Sequence, residues 1–308
     1  EERLRDYEKL GIEQQFLFPQ LTATVFSYLV EPRLANAMAR SYNLSILKLV
    51  REHPAQLIGG ALVALQDVPG AIREMEWAKE NGFRAVILDK VFPVPEHCFS
   101  DPYGTHRELW PFFARAEALG MPLFLHNIQH GHRITNLLNY QLNGLDVLAP
   151  QEGQMSLVSL VTSGLLDDFP RLNFVFTEAG VSFIKPLVER LDAAHGDSLV
   201  DYESEDAAAR FNYRKLTGGR RIVSETDYKA KNAKPPSHYF RTNLHFTIET
   251  EEAELGEAVA HFGASQFLFA TDYPHDDPGG RMKFRDVELL EKRADIGAAD
   301  KALIRSAN

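Results

Sequence analysis

The sequence contains a single cysteine, Cys98, among its 308 residues, so no disulfide can form within the chain. A lone cysteine fits a reducing compartment, and we therefore expect a cytoplasmic protein. The chain also lacks any run of about 18 apolar residues, so no membrane span is expected. Its first ten residues, EERLRDYEKL, are charged and helix-like and do not resemble a signal peptide.

Positive charge is scarce as well. There are 33 lysines and arginines against 43 aspartates and glutamates, which gives a net charge of −10. An acidic surface repels phosphate backbones, so nucleic acid is not an expected partner. Hydrophobic residues make up 44% of the chain, enough for one large core or two modest ones. We expect the partner to be a small-molecule substrate.

Seven short apolar runs have the composition of buried strands. They are FLFP (16–19), LIGGALVAL (57–65), AVILD (85–89), LFLHN (123–127), FVFTE (174–178), RTNLHFTI (241–248) and FLFATD (267–272). Stretches with a period near 3.6 separate them, and Gly82 and Gly120 stand where helix ends favour glycine. Short strands that alternate with helices predict parallel βα units.

A closed (β/α)8 TIM barrel needs eight strands, one more than the seven found. Either the sheet is open or the first strand precedes Glu1. We predict a single barrel domain over residues 1–308. Long polar insertions at 129–156 and 196–238 follow the fourth and fifth strands, where βα loops commonly form lids or pocket walls.

Three of the predicted strands end in a group that can bind metal or move a proton: His126, Glu178 and Asp272. Taken singly, each has a structural explanation, as a satisfied polar residue, a helix-terminus carboxylate or a turn cap. Together they would meet at the barrel mouth, because the carboxyl ends of parallel strands lie at one edge. Burying them costs free energy unless they are paired. A divalent cation would offset that cost, with zinc as the first choice and iron or manganese as alternatives.

The segments PLFLH, FPRLNFVFTEAGVSFIKPLVERLD and FLFATDYPHDD, in this order, resemble the amidohydrolase-related family. The resemblance is to the branch that includes the aminocarboxymuconate-semialdehyde decarboxylase type, and it runs over the whole chain. It implies a TIM barrel whose first strand carries a His-x-His metal motif. No such motif stands near the start of this sequence, so the resemblance implies that the first strand lies upstream of Glu1.

The resemblance also implies roles for individual residues. His126 matches a metal ligand that ends the fifth barrel strand. Asp272 matches the aspartate of the eighth strand, which binds metal and takes a proton from the attacking water. Glu178 stands where the decarboxylase members carry histidine, and a carboxylate there can ligate metal or act as a general base. His275, in the turn behind Asp272, is a further catalytic candidate.

Five basic side chains are candidate substrate contacts. They are Lys90, His130, His132, Arg133 and His245. Lys90 is also explained as a solvated lysine, and the loop HNIQHGHR as an ordinary polar loop. Alternation in TNLHFTI puts Asn243 and His245 on one face of a strand, which could point into the barrel.

The first functional hypothesis is a metal-dependent hydrolase that uses a metal-activated water on a small carbonyl compound. The compound would be an amide, an ester, a thioester or a ketone with a scissile C–C bond, apolar or aromatic, with or without a carboxylate. The second is a metal-dependent, non-oxidative decarboxylase of an aromatic or muconate-type acid, against which the missing histidine counts. The third is a non-catalytic barrel that serves as a binding subunit. The resemblance further implies a homodimer.

Overall fold

Seven strands of the chain form one parallel sheet, ordered as they occur in the sequence. The computed structural model describes residues 2–19, 31–89, 92–94, 99–101, 104, 106–126, 142–196, 232–273 and 285–307. The strands are β1 (Gln15–Leu17), β2 (Leu57–Leu62), β3 (Ala85–Asp89), β4 (Leu123–His126), β5 (Phe174–Phe176), β6 (Leu244–Ile248) and β7 (Phe267–Phe269). This sequential parallel order confirms the predicted βα units.

Helices precede, separate and follow these strands, as the periodicity predicted. They are α1 (Glu2–Leu10), α2 (Pro32–Glu52), α3 (Val68–Glu80), α4 (Trp110–Leu119), α5 (Leu142–Thr162), α6 (Leu165–Asp168), α7 (Ile184–Gly196), α8 (Pro236–Phe240), α9 (Leu255–Phe262), α10 (Asp286–Lys292) and α11 (Ala298–Ala302). The Asp67 carboxylate begins α3 by accepting a hydrogen bond from Gly70 N at 3.1 Å. Gly82 (φ 89°) and Gly120 (φ 59°) end their helices in the left-handed region, as predicted.

The sheet packs on both faces. Its outer face meets the helices in a large apolar core that includes Phe112, Phe113 and Phe174. Its inner face carries a row of apolar side chains in register across β2, β3, β4 and β5. The row consists of Leu62, Ile87, Phe124 and Val175. The Phe16 ring stacks on Phe124 with centroids 4.7 Å apart, so the interior of the curved sheet is filled by side chains.

Side-chain hydrogen bonds connect the regions around the two edge strands of the sheet, β1 and β7. Strands β1 and β7 are not paired with each other in the described residues. The Gln15 amide nevertheless donates to the Tyr273 carbonyl at 3.2 Å, and the Tyr273 hydroxyl donates to Asp6 at 2.8 Å. The sheet therefore curves into a half-barrel whose first and last strands approach each other, which confirms the predicted barrel class.

Part of the first predicted insertion is helical. Residues 142–156 of the first predicted insertion belong to the 21-residue helix α5. We expected a polar insertion here, but Leu157, Leu160 and Val161 bury one end of the helix in the core, and tertiary packing outweighs propensity. Residues 92–94 and 99–101 form an antiparallel ribbon that the sequence did not predict. Among the described helices, none has the length and apolar character needed to cross a bilayer.

Candidate active site

Ionisable residues stand at the carboxyl ends of neighbouring strands. His126 is the last residue of β4, and it lies opposite the buried Asp89 at the end of β3. Glu178 follows β5 by two residues, and Asp272 follows β7 by three. The carboxyl ends of parallel strands form one edge, so these groups share the mouth of the half-barrel. The apolar row that contains Phe124 lies two residues below His126, so the ionisable groups stand above an apolar floor.

His126 and Glu178 are in direct contact. The imidazole Nε2 lies 3.3 Å from Glu178 Oε1. The His126 side chain is 17% exposed and that of Glu178 is 43% exposed, so the pair sits at the border between interior and solvent. The ring of Phe18 stacks on the imidazole with centroids 5.3 Å apart. The structure therefore brings two of the three predicted metal ligands together.

Glu178 and Asp272 share an unusual backbone conformation. Their φ angles are 50° and 51°, and they are the two non-glycine residues with positive φ among the described residues. The left-handed region costs an L-residue roughly 1–2 kcal/mol. Glu178 N donates to Thr247 Oγ1 at 3.2 Å, which helps to hold the turn. Such strain clusters at functional sites, which makes this mouth the candidate active site.

The structure adds Glu249, which the sequence analysis did not single out. Glu249 follows the last residue of β6, between the strands that carry Glu178 and Asp272. Its pKa is raised to about 7, first by loss of solvation and then by the negative charges of Asp272, Glu252, Asp286 and Glu178. Glu249 keeps contact with solvent, and the carboxylates around it disfavour its charged form. The sequence analysis singled out Asp272 as a carboxylate at the end of a predicted strand. The same criterion applies to Glu249, which follows the run TNLHFTI.

His245 lies away from this group. Its Nδ1 is 3.1 Å from the Ser265 carbonyl, and its Nε2 is 3.4 Å from Asn173 Oδ1. Ser265 and Asn173 precede β7 and β5, so the ring is directed towards the amino-terminal edge of the sheet. Desolvation lowers the pKa of His245 against the opposite effect of the Ser265 carbonyl. The structure therefore does not bring His245 to the mouth, and its position gives no support to the predicted substrate contact.

The remaining candidates lie outside the described residues. They are Lys90, His130, His132, Arg133 and His275. Their predicted roles in substrate binding, and in catalysis for His275, stay predictions.

The donor types at the mouth suit a divalent cation. His126 Nδ1 is buried and has no hydrogen-bond partner among the described residues, while Nε2 faces the Glu178 carboxylate. Imidazole and carboxylate are the ligands that zinc, iron and manganese accept. No three histidine, cysteine or acidic side chains converge tightly enough for a metal ion in the part of the chain that is described. The described residues thus offer a pair of ligands with Asp272 nearby in the fold, not a complete centre.

Comparison with known proteins identifies the family. The amidohydrolase profile matches residues 19–308, nearly the whole chain. The chain belongs to the amidohydrolase family. This confirms the resemblance drawn from the sequence. The chain is also similar to a gamma-resorcylate decarboxylase from Polaromonas sp. strain JS666, with 26% identity over 285 residues that cover 89% of this chain and 77% of the relative.

Solved structures of amidohydrolase relatives share the fold. A dihydroxybenzoic acid decarboxylase from Polaromonas sp. JS666, with bound manganese and the inhibitor 2-nitroresorcinol, superposes with a TM-score of 0.72 at 22% identity, over 99% of this chain and 82% of that one. A 5-carboxyvanillate decarboxylase from Sphingomonas paucimobilis gives a TM-score of 0.71 at 23% identity, over 100% and 80% of the two chains. At these identities the likeness shows the fold alone.

Proposed function

We propose that this amidohydrolase is a metal-dependent, non-oxidative decarboxylase of a small aromatic acid. The observation that carries the proposal is the similarity of 89% of the chain to a gamma-resorcylate decarboxylase, in a fold that brings His126 and Glu178 together at the carboxyl edge of its strands. This is the second of the reactions considered from the sequence, and the relatives support it better than the first. Hydroxylated benzoates are the substrate class that their names suggest.

His126, Glu178 and Asp272 would hold the cation. When bound, the cation supplies positive charge that binds the anionic oxygens of an aromatic acid. Manganese is the ion held by the relative from Polaromonas, so it is the first ion to test here, ahead of the zinc suggested by the ligand types. A homodimer and a cytoplasmic location stay predictions.

The chain supplies an apolar surface and a proton donor. Phe18, stacked on His126, and Phe124 below it give an aromatic ring apolar contacts. Breaking the bond between ring and carboxylate releases carbon dioxide and leaves its electron pair on the ring carbon, which then needs a proton. Asp272 would supply that proton after taking it from water, the proton-transfer role that the family resemblance implies. Glu249 is the second candidate, because its carboxyl group stands at the same mouth and its pKa is raised in the metal-free chain.

Hydrolysis is the second candidate function, and one observation favours it. Glu178 stands where the decarboxylase members of the family carry histidine, and it contacts His126 at 3.3 Å. A carboxylate in this place can act as a general base for water, which suits hydrolysis of an ester or amide.

One assay distinguishes these functions. The protein is stripped with a chelator, reloaded with manganese or zinc, and offered dihydroxybenzoates and carboxyvanillate alongside aryl esters and amides. We expect carbon dioxide release that requires metal and falls at least about 100-fold in Asp272→Asn, the scale of a lost acid–base group. Metal-dependent ester or amide cleavage without carbon dioxide would instead establish hydrolysis. Absence of turnover with every substrate and metal would contradict both and favour a binding subunit.

A further inference from the structure

The turn after β5 enters the left-handed region at two positions. Glu178 (φ 50°) and Gly180 (φ 70°) both lie in the left-handed region. Glycine adopts this conformation without cost, but glutamate does not. The direction in which Glu178 presents its carboxylate to His126 therefore depends on restraints from outside the turn. The structure provides these restraints from β6 and from the turn that follows β6.

The first restraints are hydrogen bonds to the two ends of the strained turn. Glu178 N donates to Thr247 Oγ1 at 3.2 Å, which ties the start of the turn to β6. Val181 N donates to Glu252 Oε2 at 2.6 Å, which ties its end. The second bond is short and charge-assisted, so it is the stronger of the two.

The Glu252 carboxylate also holds the end of β6. Its second oxygen, Oε1, accepts a hydrogen bond from Glu249 N at 3.3 Å, and Glu252 N donates to the Glu249 carbonyl at 3.1 Å. One carboxylate therefore joins the strand ends that carry Glu178 and Glu249. A Cβ at position 180 would stand 3.3 Å from Glu252 Oε2, so glycine at that position leaves room for this contact.

Arg293 fixes the backbone on which Glu252 stands. Its Nη1 donates to the carbonyls of Thr250 at 2.9 Å and Glu252 at 2.5 Å. The Arg293 side chain is 13% exposed, and its guanidinium pairs with the Asp295 carboxylate at 2.6 Å. Since Arg293 holds two backbone carbonyls of this turn, the backbone that carries the Glu252 side chain is fixed in position.

We propose that Glu252 is a positioning residue of the candidate active site. Its two carboxylate oxygens bind the amides of Val181 and Glu249, and they thereby set the direction of the Glu178 and Glu249 side chains at the mouth. The effect on turnover rests on the proposed function. The effect on the two amides does not, so the two parts are tested separately.

The first test measures hydrogen exchange at the Val181 and Glu249 amides in the metal-free protein. Loss of a hydrogen bond in Glu252→Ala is expected to raise their exchange about tenfold. Glu252→Gln keeps one acceptor oxygen and should give a smaller increase. The control is Glu254→Ala, because Glu254 starts α9 without a side-chain capping bond. Unchanged exchange at both amides in Glu252→Ala, or in Glu252→Gln if the alanine variant does not fold, would overturn the proposal.

The second test measures kinetics per folded molecule. In Glu252→Ala, kcat should fall about 10- to 100-fold, as for other groups that orient metal ligands, with KM within about twofold of the parent value. Glu252→Gln should recover part of the loss, and Glu254→Ala should leave kcat unchanged. A purely structural role would lower the melting temperature but leave kcat per folded molecule intact, and that result would overturn the positioning role. If the parent protein shows no turnover, the proposed function fails, and the amide exchange alone decides the role of Glu252.

Discussion

Glu178 and Asp272 adopt nearly the same left-handed conformation, with φ of 50° and 51°, at the ends of the two strands that flank β6. Aspartate enters this region more readily than glutamate, but each such position still costs of order 1–3 kcal/mol and persists only where the surroundings enforce it. The rest of the fold must supply that free energy. The conformation places both carboxylates at the carboxyl edge of the sheet, where that of Glu178 contacts His126.

The strain at Glu178 predicts a stability difference between two variants. Glu178→Gly removes the carboxylate and the steric cost of positive φ, whereas Glu178→Ala removes the carboxylate alone. We expect the glycine variant to be the more stable by about 1 kcal/mol, because glycine adopts this region freely but loses more entropy on folding. Urea unfolding of the metal-free proteins measures the difference. Equal stability, or a more stable alanine variant, would show that the turn is not strained.

The positive φ at Glu178 and Asp272 also bears on the ends of β5 and β7, which the sequence placed too far along the chain. The apolar runs FVFTE and FLFATD predicted strands through Glu178 and Asp272, but β5 ends at Phe176 and β7 ends at Phe269. A strand cannot continue through a φ near +50°. Glutamate gives no warning of this because it rarely adopts a positive φ, whereas aspartate adopts it several times more often than most residues. The existence and order of the strands were predictable, since short apolar runs alternated with helical periodicity.

The candidate site was predictable only in part. His126 and Glu178 followed from the rule that strand ends meet at one edge, and the structure brings their side chains into contact. The sequence did not lead to Glu249, because His245 was the candidate on that strand. That histidine shares a face with Glu249 but is bound by Ser265 and Asn173 near the opposite edge. Which end of a strand a side chain favours depends on its hydrogen-bond partners, and those come from segments distant in sequence.

Asn43 is predicted to be a major contributor to stability. It is fully buried on α2, and its amide donates to the Leu62 carbonyl and to Glu74, while its oxygen accepts from Leu62 N, all at 2.8 Å. Asn43→Ala leaves these buried groups unsatisfied and should lower the free energy of unfolding by about 2–4 kcal/mol. Ser45→Ala, on the exposed side of the same helix, should change it by less than about 0.5 kcal/mol. A loss below 1 kcal/mol in Asn43→Ala, measured by urea unfolding, would mean that water replaces the amide.

Glu249 predicts a pH dependence of stability in the metal-free protein. Its pKa is about 7 in the folded chain against an ordinary value of 4.5, so the folded state holds the proton more tightly than the unfolded state. The free energy of unfolding should therefore fall as the pH rises from 4.5 through 7. The glutamine side chain of Glu249→Gln does not titrate, so the free energy of unfolding of this variant should fall less over this pH range than that of the parent. Urea unfolding midpoints at pH 5 and pH 8 measure this fall in the parent and in Glu249→Gln, and Glu254→Gln is the control. Parallel profiles for the parent and Glu249→Gln would contradict the raised pKa.

The last prediction concerns the metal itself. A ligand that binds only the folded state stabilises it by about 2.7 kcal/mol at 100 times its dissociation constant. We expect manganese at such a concentration to raise the free energy of unfolding of the parent protein by this amount.

The same manganese addition should leave His126→Asn and Glu178→Gln nearly unchanged, because these variants remove the two side chains that the structure already holds 3.3 Å apart. His245→Asn is the matched histidine control. Its ring is bound by Ser265 and Asn173 near the other edge of the sheet, so the variant should keep the full response to manganese even if its own stability is lower. A parent-like response in His126→Asn would place the cation elsewhere. A lost response in His245→Asn would mean that the two edges of the half-barrel are coupled in a way that the described hydrogen bonds do not account for.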